Sequence, residues 1–211
     1  MGDILRTSLK SKILFSGLLC FLWIMDLKKQ LSGMNAIGTE LKDAYLITTR
    51  IYEDSRGSFT ESFNLREVQK MIGPYEFVQD CHSVSAKNVI RGLHYQVQHP
   101  QGKLVRCLSG EIYDVIVDLR EGSETFGKTM GTRLSPGPYQ LWVPPGFAHG
   151  FSVLSPTAEV LYKVTDYQYK EHERTLLWND SKLNINWKVS TPILSDKDRK
   201  GTSYEECEKY D

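Results

Sequence analysis

An all-β sandwich or barrel is predicted for most of this chain, and three observations carry that expectation. Between Tyr45 and Thr165 the sequence is a series of short apolar and β-branched runs set apart by turn residues at close spacing, which is the punctuation of all-β folds. The longest obvious helix is short, any helices are expected at the periphery, and no repeat or low-complexity segment is present. At 211 residues the chain has room for one well-buried core and too little for two comfortable ones.

The expected strands are 44–50, 58–63, 77–84, 89–95, 103–109, 111–120, 129–134, 139–143, 149–154 and 158–165. Turns are expected at Ser55-Arg56-Gly57, Ser109-Gly110, Ser135-Pro136-Gly137-Pro138 and Pro144-Pro145-Gly146, where glycine supplies positive φ and proline presets the bend. The helix is expected over 65–72, stopped by Gly73-Pro74. Alternation assigns faces: Tyr113, Val115, Val117 and Leu119 oppose Ile112, Asp114, Ile116 and Asp118, which sets Asp114 between isoleucines. Val160, Tyr162 and Val164 share a face, so Tyr162 is expected to point into the barrel. After Thr165 the chain is richer in charge, and Trp178 and Trp187 are expected to fold back onto the barrel because of their large apolar area. Residues 203–211 carry little core-forming material and are expected to fray.

Lys+Arg 26 and Asp+Glu 26 balance, so no overall field draws nucleic acid or an anionic membrane, and an anionic ligand must be held by local cations. Cys20, Cys81, Cys107 and Cys207 lack the paired spacing of zinc or redox motifs, which favours a reducing, cytoplasmic setting. The first 33 residues differ from the rest. An uncharged apolar run over 13–25 is flanked by lysines, superficially like the core of a signal peptide, but it falls short of the ~20 residues that span a bilayer. Residues 1–33 are expected to be an extension outside the core, the alternative being a membrane-associating or export segment, and 34–211 the functional domain, with no membrane role for the core.

Arg91-Gly92-Leu93-His94, Lys103, His149 and Tyr162 bring a base, a fixed cation, a second imidazole and a phenol to strands or their ends. Removing a proton beside a carbonyl and returning it from the other side needs such a set. His94 is the candidate base, since histidine titrates near neutrality. The bland alternatives are a histidine satisfied within the core and a core tyrosine with its hydroxyl bonded. A metal site is the chemical rival, yet His94 is followed by Tyr95-Gln96 instead of a second histidine at the alternate position, and His82, His99 and His172 form no ligand spacing. Arg56, Arg91 and Lys103 are suited to a diphosphate, or are surface cations packed over apolar neighbours. No Gly-rich loop leads into a helix, so a nicotinamide or ATP fold is unsupported.

The blocks Asp54-Ser55-Arg56-Gly57, Phe77-Val78-Gln79-Asp80, Arg91-Gly92-Leu93-His94, 101–107, 146–151, Leu161-Tyr162-Lys163 and Ser195-Asp196-Lys197-Asp198, in this order and spacing, resemble the dTDP-4-dehydrorhamnose 3,5-epimerase family over about 34–200. The resemblance implies a cupin-type jelly roll working without metal or other cofactor, a homodimer, and a nucleoside diphosphate joined to a 4-keto-6-deoxy sugar as substrate. It implies His94 as proton acceptor, Asp198 as the carboxylate orienting it and Tyr162 as proton donor, with Lys103 and His149 at the sugar. Arg56, Glu61, Gln79, Asp80, Cys81, Arg91, Glu173 and Lys197 are implied as further substrate contacts. Cys81 stands where the family usually has asparagine, and Gln168 where a second aromatic commonly follows Tyr167. The expected activity is conversion of dTDP-4-dehydro-6-deoxy-D-glucose to dTDP-4-dehydro-L-rhamnose. Alternatives are a single-carbon epimerase or keto-isomerase, a non-catalytic sugar-nucleotide-binding barrel, and a metal-dependent cupin oxygenase.

Overall fold

The computed structural model describes residues 33–211. The apolar run at 13–25, and all of the expected extension but Gly33, lie outside the described residues. Thirteen strands and two short helices follow in order: β1 (Asn35–Gly38), β2 (Tyr45–Thr48), β3 (Ile51–Asp54), β4 (Gly57–Thr60), α1 (Leu65–Ile72), β5 (Gln79–Ala86), β6 (Ile90–Gln96), β7 (Lys103–Ser109), β8 (Ile112–Asp118), β9 (Thr129–Leu134), β10 (Tyr139–Val143), β11 (Phe147–Val153), β12 (Thr157–Val164), β13 (Glu173–Thr175) and α2 (Asp196–Arg199).

Two antiparallel sheets face each other as a jelly roll. One has the order β1-β2-β10-β7-β12-β5 and the other β13-β6-β11-β8-β9, while β3 and β4 pair only with each other. Because side chains alternate across a strand, each sheet sends one set inward. Val105 and Cys107 of β7, Leu141 and Val143 of β10, and Ala158 and Val160 of β12 meet Ile112 and Ile116 of β8, Met130 and Leu134 of β9, and Phe147, Phe151 and Val153 of β11 in the core between the sheets. The outward set of the five-stranded sheet, including Val115, Val117 and Leu119, is covered by the C-terminal segment through Leu176, Leu183 and Trp187. Burying each of those three is worth about 1.5–3 kcal/mol, enough to order a segment with little regular structure. Trp187 also donates its indole N–H to the Trp178 carbonyl at 2.7 Å.

The outer face of the six-stranded sheet has its own cover. Asn64 caps α1 by accepting the Glu67 N–H, the helix ends at Gly73 with φ 103, and Phe63, Tyr75 and Phe77 pack on Trp142 and its neighbours. The expected strand 44–50 ends at Thr48, where the chain turns into β3, which the sequence reading missed along with β1 and β13. The expected strand 58–63 overlaps only β4, because Glu61 to Asn64 lead into α1. The expected fraying at the C-terminus is corrected as well: Cys207 is buried, Tyr210 donates its N–H to the Leu119 carbonyl at 3.0 Å, and its ring meets Tyr95 edge-on.

Candidate active site

The inward set of both sheets turns polar at one end of the barrel. On the five-stranded sheet His94 of β6 and His149 of β11 are direct cross-strand partners. Their strands approach closely because Gly92 and Gly150 face each other: a Cβ on Gly92 would stand 2.5 Å from the Gly150 Cα, and one on Gly150 2.6 Å from the Arg91 carbonyl oxygen. Gly92 also has φ +124, open to glycine and strained for other residues. The register slips at this point, between His149 and Phe151. From the six-stranded sheet Gln79 and Cys81 of β5, Lys103 of β7 and Tyr162 of β12 face the same space, and Glu173 of β13 closes its side. The cleft is also lined by Tyr95, Gln96, Gln101, Val164 and Gln168. Its enclosed part is about 80 Å³, against roughly 300–1,000 Å³ for a whole ligand pocket.

His94 is held by α2. Its Nε2 lies 2.6 Å from Asp198 Oδ1, and Asp198 is buried. Burial works to raise the Asp198 carboxyl, but hydrogen bonds from His94, from Ser195 and from the Gly92 N–H outweigh it and hold the group below the ordinary carboxylate range. With Nε2 engaged, Nδ1 is the nitrogen of His94 left for proton transfer. Lys103 is almost fully buried, and its ammonium donates to the His94 carbonyl at 3.2 Å. Desolvation brings its pKa down to about 8, against the pull of Asp114 and Glu173. Tyr162 is driven the other way: burial, reinforced by Cys81, pushes the phenol up to about 12. It is therefore a neutral O–H donor at working pH, suited to giving a proton and not to taking one.

His149 Nε2 lies 2.9 and 3.0 Å from the two oxygens of Asp114, and both residues are buried. The sequence reading set Asp114 between isoleucines without giving it a partner; a carboxylate in an apolar alternation was the available signal. Glu173 pairs with Lys197 of α2 at 2.6 Å, and that cation outweighs burial to hold the Glu173 carboxyl low.

Not every expected contact comes to this cleft. Asp80 is on the outer face of β5, opposite to Gln79 and Cys81, and pairs with Lys163 at 2.9 Å. Strand alternation alone separates it from its neighbours. Arg91 is exposed and donates from Nε to Ser85 at 2.9 Å, close enough for its charge to be felt by Tyr162. Arg56, in the β3–β4 turn, pairs with Asp54 at 2.6 Å with 88% of its side chain exposed, and Glu61 accepts from Asn64 at 3.1 Å. Neither lines the cleft, and nor do His149, buried behind it against Asp114, and Lys197. Tyr95, Gln96 and Gln101 do line it and were not among the expected contacts. Among the described residues no three His, Cys, Asp or Glu side chains come together as a metal-ligand group, and no helix is long and apolar enough to cross a membrane.

A jelly roll whose inner face carries a carboxylate-held imidazole, a buried amine and a facing phenol defines a class, the cupin-type sugar epimerases that move protons beside a carbonyl. The comparisons agree. The family model for dTDP-4-dehydrorhamnose 3,5-epimerase matches residues 38–206, and the chain belongs to that family. The enzyme of that name from Pseudomonas aeruginosa is 50% identical over 180 residues, covering 84% of this chain and 99% of the relative. A crystal structure of dTDP-4-dehydrorhamnose 3,5-epimerase from Elizabethkingia anophelis superposes with a TM-score of 0.78 at 46% identity, covering 82% of this chain and 97% of that one. The dTDP-6-deoxy-D-glucose-3,5-epimerase of Legionella pneumophila, solved with dTDP-4-keto-L-rhamnose, gives 0.80 at 44% identity, covering 83% and 95%.

Proposed function

We propose that this cleft inverts carbons 3 and 5 of dTDP-4-dehydro-6-deoxy-D-glucose, giving dTDP-4-dehydro-L-rhamnose. The observation that carries the assignment of roles is that His94 and Tyr162 stand on opposite sheets and face one cleft, with Lys103 on the strand beside Tyr162 reaching across to the His94 carbonyl. The ketone at carbon 4 acidifies the protons on carbons 3 and 5. His94 Nδ1 takes one of them, and the electron pair of the broken C–H bond moves through carbon 4 to leave negative charge on its oxygen. Lys103, charged below about pH 8, meets that charge where it develops. As the enolate collapses, Tyr162 gives its proton to the carbon from the opposite face, and the phenolate and imidazolium then exchange protons with water. The same cycle at the second carbon completes the double inversion. Asp198 fixes the imidazole and favours its protonated form, while Gln79, Cys81 and Glu173, which line the cleft, hold the substrate.

Residues 34–211 form the functional domain in this reading, acting in the cytoplasm as a homodimer. The placement of Arg56 and Glu61 supports the dimer. Both sit away from their own cleft, next to a β3–β4 ribbon that exposes Tyr52 and Phe59, so their contact with substrate is to that held by a second copy.

Incubation with the dTDP-4-keto-6-deoxy sugar in deuterated water, followed by NMR of the hexose, tests the reading. Wild-type protein labels carbons 3 and 5, and His94→Ala labels neither while folding normally. Label at one carbon would replace double by single epimerisation, and appreciable exchange in His94→Ala would reject His94 as the base.

A further inference from the structure

Ser195 lies outside the cleft and is exposed, yet it makes two hydrogen bonds that converge on the group behind His94. Its hydroxyl stands 2.7 Å from Asp198 Oδ2 and 3.1 Å from the Asp198 backbone nitrogen. The second contact is an N-cap bond: an N–H in the first turn of α2 donates to the serine oxygen. A cap needs only that accepting oxygen. The hydroxyl still has its proton, and with the N–H occupying one side of the oxygen, that proton is given to Oδ2.

The reciprocal pair has two consequences. It ties the Asp198 side chain to its own backbone, so the carboxylate has one orientation, with Oδ1 turned to His94 Nε2 at 2.6 Å. It also supplies a donor to a carboxylate that is only 4% exposed, where an ionised group needs its lone pairs satisfied to stay charged. His94 itself comes from β6 and Asp198 from α2, elements joined by more than a hundred residues. Their alignment depends on how α2 starts.

We propose that Ser195 is a positioning residue for the reaction, the third member of a Ser195–Asp198–His94 relay in which the serine proton fixes and holds the charge of the carboxylate that orients the base. This rests on the assignment of His94 as base. Without the serine donor, negative charge concentrates on Asp198, the dyad as a unit binds its proton more tightly, and the imidazole is less well aimed.

The cap and the relay are separated by substitution. Aspartate caps a helix about as well as serine, but it has no proton to give and places a like charge beside Asp198; threonine keeps both functions. In steady-state kinetics over a pH series, Ser195→Thr is expected to stay near wild type. Ser195→Asp and Ser195→Ala are expected to lose about tenfold or more in kcat, the scale of one hydrogen bond to a charged group. KM should hold nearly constant, and the acidic limb of kcat/KM should move to higher pH, since that limb belongs to the coupled dyad. A Ser195→Asp protein with wild-type kcat and an unmoved limb would reduce Ser195 to a cap and overturn the proposal. A raised KM with unchanged kcat would overturn it equally, by making Ser195 a substrate contact. The His94→Ala exchange experiment keeps the failures apart: if that variant is dead while the serine variants are normal, only the relay falls.

Discussion

Lys103 carries a stability cost set by its burial, and removing the charge should make the protein more stable and, in the proposed mechanism, much slower. Bringing the amine from its ordinary 10.5 down to about 8 costs about 3 kcal/mol, at about 1.4 kcal/mol for each tenfold change in proton affinity. Lys103→Met keeps the length of the side chain and removes the charge, but it also strands the His94 carbonyl that the ammonium now meets at 3.2 Å, a loss of about 1 kcal/mol. The net expectation at pH 7 is a gain of about 2 kcal/mol, or roughly 4–8 °C in Tm for a chain of this size. The sign depends on pH. A lysine whose folded pKa lies below its unfolded one costs stability in full below about 8, and the cost fades as pH rises to the unfolded value of 10.5. Above it only the lost hydrogen bond remains, so wild type should become the more stable by about 1 kcal/mol. Denaturant unfolding of both proteins at equal concentration, at neutral and at high pH, reads the difference. Turnover in Lys103→Met should fall by about 10²–10³, as for other lost oxyanion contacts, and wild-type turnover should decline as pH rises through about 8. A variant less stable than wild type at pH 7, or a difference that does not change with pH, would refute the desolvation account of this lysine.

Two further expectations follow from the placement of other groups. Tyr162→Phe should keep deuterium exchange by His94 but lose about 10²–10³ in formation of the inverted sugar, because the base remains and the opposite-face acid does not; parallel loss of exchange and inversion would remove Tyr162 from the donor role. A protein beginning at Met34 should fold, keep the oligomeric state of the full chain and epimerise as it does, since β1 opens at Asn35 and the family match at residue 38, and size-exclusion chromatography with the exchange assay would expose the opposite result.

The strands of the barrel were legible because burial of one face imposes a period of two. β7, β9, β10 and α1 fall where the sequence places them, each bounded by proline, glycine or a polar turn. What escaped lacks that signal: β13 has only Glu173, Arg174 and Thr175 and exists by pairing with β6, and β3 is mostly exposed. The C-terminal end misled because its core material is sparse in sequence but well aimed, with Cys207 and Tyr210 packing on a surface built a hundred residues earlier. In the site, His94, Lys103 and Tyr162 follow from residue type and spacing, whereas the pairing of His149 with Asp114 and the converging bonds of Ser195 require knowledge of which strands are neighbours. Asp80 shows the limit of a motif: it adjoins Gln79 and Cys81 in sequence and faces away from them.

Inverting a carbon needs a proton removed on one face and supplied on the other, and one sheet cannot easily do both, since its inward side chains all approach from the same side. The jelly roll resolves this with two sheets. His94 approaches from the five-stranded sheet and Tyr162 from the six-stranded one, so in the proposed mechanism the faces of a ring between them are matched to base and acid by the architecture itself. The price of that arrangement is that neither group can be held from its own strand alone. His94 takes its orienting carboxylate from α2, and Tyr162 is flanked by Cys81, its direct partner across β12 and β5. Lys103 enters from β7, next to β12, and its Nζ reaches the backbone of His94 on the other sheet, so its charge spans the gap between the sheets where the proposed enolate would form. The electrostatics follow the same division. Desolvation keeps the phenol protonated and weakens the amine's hold on its proton, while the carboxylate behind the imidazole is held ionised against burial by His94, by Ser195 at the cap of α2 and by the Gly92 N–H. In the proposed mechanism acid, base and cation are thus tuned by burial between the sheets and by one short helix outside them, which is why a substitution at its N-cap, Ser195, should alter rate without altering the shape of the cleft.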